Sequence, residues 1–83
     1  MNQATHNVFS SLSTEQLSQL CADSGYLDME FHTAELIHFY ENGKGEHVYS
    51  YSTTCDDMID GGVLRGHVYV AIDPATGDTR VEF

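Results

Sequence analysis

The stretch RGHVYVAIDPATGDTRVEF, residues 65–83, most constrains the fold. Val68, Val70 and Ile72 alternate with His67, Tyr69 and Ala71, the period-two pattern of a strand with one buried face. DPATGD then reverses the chain. Pro74 presets φ early in the turn, and Gly77 suits a left-handed position. TRVEF returns with Val81 and Phe83 on one side.

The middle of the chain reads the same way. HVYSYSTT, residues 47–54, is rich in Tyr, Val and Thr, as strands are. ENGKGE before it holds Asn-Gly, a strong hairpin signal. Residues 29–40, MEFHTAELIHFY, admit two readings. As a helix they align Phe31, Ala34, Glu35 and His38, a poor apolar stripe. As a strand they place Met29, Phe31, Ile37 and Phe39 on one face, with Thr33 and Glu35 between them. The strand is the better reading, with a bulge expected near Ala34.

Residues 13–24, STEQLSQLCADS, predict a helix. Ser13 and Gln16 stand in capping-box positions, and Glu15 falls in the first turn. Leu17, Leu20 and Cys21 form one stripe, and Gly25 is a natural stop. Val8, Phe9 and Leu12 are expected to add a short preceding turn of helix against the same core. The expected fold is α+β, a single domain over residues 1–83. An N-terminal helix packs on one face of a four-stranded antiparallel sheet made of two hairpins. The other sheet face is expected to carry Tyr49, Tyr51, His67, Tyr69, Arg80 and Glu82.

Charge narrows function. Thirteen acids face three bases, Lys44, Arg65 and Arg80, for a net charge of −10 on 83 residues. Residues 1–43 hold no Lys or Arg at all. Direct nucleic-acid binding needs cations to neutralise phosphates, and anionic membrane surfaces need the same. Both are disfavoured. Hydrophobic residues make up 41% of the chain, enough for a modest core, so wholesale disorder is disfavoured too. The opening MNQATHNVFSSLS has neither a basic n-region nor an apolar h-region, so it reads as no secretory signal. A soluble, cytoplasmic protein with Cys21 and Cys55 as thiols is the expectation.

The segment CDDMIDGG, residues 55–62, gathers a thiol, three aspartates and two glycines. Its spacing is not that of a calcium loop, and one Cys without a second thiol or a placed His makes no zinc site. Three aspartates would repel a phosphate. It reads as an acidic connector between the hairpins, with Met58 and Ile59 dipping into the core. His38 and His47 flank the first turn, and their meeting across it would make a metal site or pH switch. Surface histidines are the simpler reading. No Ser sits in a nucleophile elbow, and no phosphate-binding glycine loop appears. Cys55 lies among aspartates, which blunt a thiol nucleophile. The chain therefore reads as a non-enzymatic binder with no cofactor and no metal.

The partner expected is a basic surface, that of a nucleic-acid-binding protein or complex. Asp28, Glu30, Glu41, Glu46, Asp56, Asp57 and Asp60 are the residues expected to meet it, as carboxylates standing in for phosphates. In size and charge the chain is similar to small acidic phage proteins that block restriction or CRISPR complexes. Two other readings stand beside this one. One is a small ligand- or metal-responsive domain using the Tyr- and His-bearing face. The other is an accessory domain that forms a homodimer through a sheet edge.

Overall fold

The structure, a computed structural model, describes residues 3–26, 30–56 and 60–83. Two helices, α1 (Gln3–Phe9) and α2 (Thr14–Asp23), precede four strands: β1 (Thr33–Glu41), β2 (His47–Asp56), β3 (Val63–Ile72) and β4 (Thr79–Glu82). The strands form one antiparallel sheet in the order β1-β2-β3-β4. This is the expected α+β arrangement. The two hairpins are fused by the β2–β3 ladder, which pairs His47 with Ile72 at one end and Asp56 with Val63 at the other. No helix among the described residues is long and apolar enough to cross a membrane.

α2 starts and stops where its sequence dictates. Ser13 accepts from the Gln16 amide, and the Gln16 side chain accepts from the Ser13 amide, closing the capping box. Gly25 takes a φ of 91°. This lets Gly25 and Tyr26 donate back to Ala22 and Cys21, which satisfies the last carbonyls of the helix. Leu17 and Cys21 face inward and are fully buried. Burial pushes the Cys21 thiol pKa up and keeps it neutral.

The core lies between the helices and one sheet face. Leu12, Leu17 and Cys21 meet Tyr49, Tyr51, Val68, Val70, Ile72 and Val81, with Phe9, Phe31, Ala34 and Leu36 around them. Tyr49 and Tyr51 are thus core residues and do not belong to the open face. Register decides this: Tyr49 pairs with Val70 and Tyr51 with Val68, and directly opposed residues share a face. A tyrosine tolerates such burial when its hydroxyl finds partners. Tyr51 donates to the Phe9 carbonyl and accepts from the Leu12 amide at 3.0 Å. Tyr49 lies 2.8 Å from His6 Nδ1. α1 buries no residue fully, so these bonds and the partly buried Phe9 anchor it.

One other expectation shifts. The bulge lies at Ile37, between Leu36 and His38, and not near Ala34. It turns Ile37 outward, half-exposed, and brings Ala34, Leu36 and Phe39 onto the helix side, opposite Thr53, Tyr51 and Tyr49. The ENGKGE turn joins β1 to β2 as expected. Asn42 Oδ1 accepts from the Lys44 and Glu46 amides, and Gly45 takes the left-handed conformation. His38 and His47 do not meet. His38 pairs with Ser50 and His47 with Glu41, three positions apart on an unbroken ladder, so the alternation of the strand leaves the two imidazoles on opposite faces. Met29, Met58 and Ile59 lie outside the described residues. Gly77 does take positive φ in the β3–β4 turn, as its position predicts.

Replacing Tyr51 with Phe tests the anchor. It removes the acceptor of a buried amide, so Tyr51→Phe is expected to lower unfolding free energy by about 1–3 kcal/mol. The change Tyr40→Phe, on an exposed ring, should stay within about 0.5 kcal/mol. Urea denaturation of both variants checks this, and equal effects would refute the anchoring role.

Candidate functional site

Of the seven acids expected to meet a basic partner, the five among the described residues fall at two ends of the sheet. Glu41 ends β1, and Glu46 closes the turn into β2. Asp56 ends β2 at the far side, and Asp60 follows in the exposed loop before β3. Glu30 is exposed just ahead of β1, whose start pairs with the end of β2. Asp28 and Asp57 lie outside the described residues. At about 3.3 Å per residue, the length of β2 sets the two groups roughly 30 Å apart. They do not make one patch.

The end holding Glu46 is partly neutralised. Arg80 Nη2 and Nε donate to the two Glu46 carboxylate oxygens at 2.9 and 3.1 Å, and Arg80 Nη1 also reaches Glu82. Asn42 Nδ2 donates to Glu46 at 2.9 Å. Arg80, with the Asn42 amide behind it, lowers the Glu46 pKa from 4.5 to about 2. The same carboxylates push the Arg80 guanidinium upward. Glu41 lies 3.5 Å from His47 Nε2. Asp73 and Asp78 bound the neighbouring β3–β4 turn, where Asp73 and Asp78 pair through their backbone.

The opposite end is organised by α2. A groove of about 590 Å³ runs between the outer side of α2 and residues 30–32. Thr14, Glu15, Gln19 and Ala22 form one wall, and Glu30 and Phe31 the other. His32 extends the second wall, and its Nε2 lies 3.0 Å from Asp56 Oδ1, which links the groove to the end of β2. The His32 amide donates to the Thr54 carbonyl at 2.7 Å, so backbone pairing as well as a side chain holds this wall in place. Glu15 and Glu30 form no ion pair among the described residues.

Glu15 and Asp23 were missing from the expected surface. The helix stripe already pointed both away from the core, because Leu17 and Cys21 face in. That Glu15 lines the same groove as Glu30 is a tertiary juxtaposition that no local pattern encodes.

The open sheet face is the other candidate. His38 stacks on Tyr40 with centroids 5.2 Å apart, and His67 lies along Tyr69 at 6.4 Å. These two rows flank Val48 and Ser50 on β2, both nearly buried. Among the described residues no group of three His, Cys, Asp or Glu is gathered to hold a metal ion.

The Glu46 contact carries a pH dependence of known sign. A depressed carboxylate adds stability that is complete above its unfolded value, near 4.5, and is lost as pH falls towards about 2. An NMR titration of the Glu46 side-chain carboxyl should place its midpoint near that low value. In Arg80→Met the midpoint should return towards the ordinary carboxylate range. A midpoint that does not move would remove Arg80 as the cause.

Compared with known proteins, the chain matches no family model, no curated protein and no solved structure.

Proposed function

We propose that this chain is a small acidic binding protein, not an enzyme, that presents negative surface to a basic nucleic-acid-binding partner in the cytoplasm. Its action would be that of a nucleic-acid mimic, of the kind phage inhibitors of restriction or CRISPR complexes use. The observation that carries this reading is the placement of charge. Both helices and β1 are built from residues 3–41, a span without Lys or Arg. Among the described residues every acid is exposed except Glu46 and Asp73.

Charge density supports the same reading. Ten net negative charges along the 43 Å long axis are one per roughly 4 Å, beside 3.4 Å per charge on one DNA strand and 1.7 Å on a duplex. That figure is an average over the long axis, and because the acids divide between the two ends of β2 a basic partner would meet them as separate charged surfaces. Their field raises association rates and fades with salt.

The protein, immobilised, should retain basic nucleic-acid-handling proteins from a lysate and release them at moderate salt. Added duplex DNA should compete for the same partner. Two triple variants localise the contact. Glu15→Lys with Glu30→Lys and Asp56→Lys alters one end, and Glu41→Lys with Asp73→Lys and Asp78→Lys alters the other. At least one should weaken binding roughly tenfold or more, about 1.4 kcal/mol. Retention that is insensitive to salt and to both variants would refute the mimic reading.

A further inference from the structure

The groove beside α2 is concave and sets Phe31 and Ala22 among acidic and polar side chains. Resting on the proposed function, we infer that this groove seats an arginine side chain of the basic partner. Its volume, about 590 Å³, lies within the range of binding clefts and exceeds what one side chain needs.

Each wall supplies part of what a guanidinium requires. Glu15 and Glu30 stand at the groove with no cation from residues 1–43 to neutralise them. Phe31 is half-buried, held from behind by the core, and offers a ring to the same space. A planar guanidinium stacks on such a ring while its edge N–H groups reach carboxylates. Ala22 is small and exposed on the helix, so it leaves room for an aliphatic stem. Gln19 donates its amide nitrogen to Asp23 at 2.9 Å, which leaves its carbonyl oxygen as an acceptor. Thr14 adds a hydroxyl. A lysine ammonium would find the carboxylates but gain less from Phe31, because it is compact and more strongly hydrated. An anionic ligand would meet two carboxylates, and a purely apolar one would desolvate them without compensation.

The test uses the intact chain with a hexa-arginine peptide and a hexa-lysine peptide as probes, read by fluorescence anisotropy and by amide NMR shifts. The arginine peptide should bind tighter by roughly two- to fivefold, the size of an exposed cation–π contact. Shifts should concentrate on Thr14, Gln19, Ala22, Phe31 and His32. Glu30→Gln should weaken the arginine peptide by roughly two- to fivefold, while Glu41→Gln, the same charge change at the other end, should leave it within about twofold. Ala22→Phe fills the groove without altering charge and should abolish the preference for arginine. Equal binding of both peptides, with shifts spread over both ends and equal effects of Glu30→Gln and Glu41→Gln, would overturn the groove while leaving the acidic-surface reading intact. No binding of either peptide at low salt would overturn both.

Discussion

The hydroxyl of Tyr51 ties the two layers together. It sits in the core, donates to the Phe9 carbonyl at the end of α1 and accepts from the Leu12 amide in the link to α2. A polar group so placed would be costly without partners, and each backbone group it meets is an orphan of a helix end or a turn. One bond set thus fixes the entry to α2 over the middle of β2. The position of α2 in turn sets Glu15 opposite Glu30. The groove therefore depends on a contact on the other side of the helix, away from any acid.

Much of this fold is legible in the sequence, for local reasons. The capping box of Ser13 and Gln16, the stop at Gly25 and the alternation of Val68, Val70 and Ile72 each depend on neighbours a few residues away. The missed features are non-local. Tyr49 and Tyr51 alternate as well on a polar face as on an apolar one; the register opposite Val70 and Val68 sets them in the core, where partners from α1 and the following link satisfy their hydroxyls. The bulge at Ile37 shifts the face of every residue beyond it, because a one-residue slip inverts a strand. The candidate site was partly legible for the same reason. Glu30 and Asp56 were readable as acids, but Glu15 joins Glu30 only through the path of the chain.

A net charge of −10 on so small a body demands an account of how repulsion is tolerated. Distance supplies one. The acids beside Glu46 and those near Asp56 stand at opposite ends of β2, far beyond the roughly 8 Å screening length at physiological salt. Pairing supplies the other. Arg80 bridges Glu46 and Glu82, and the imidazoles of His47 and His32 lie against Glu41 and Asp56.

These two devices do not act equally at the two ends. The end with the β1–β2 and β3–β4 turns holds Lys44 and Arg80, so its field is partly cancelled. At the groove, Glu15 and Glu30 form no ion pair among the described residues. The nearest Arg along the ladder is Arg65, which pairs with Thr54 on the sheet. Both ends therefore keep a negative field that nearby cations cancel only in part, and what sets the groove end apart is its concave shape. A basic partner of the proposed kind would be steered by this field to either end, and short-range stacking on Phe31 would favour the groove where steering stops.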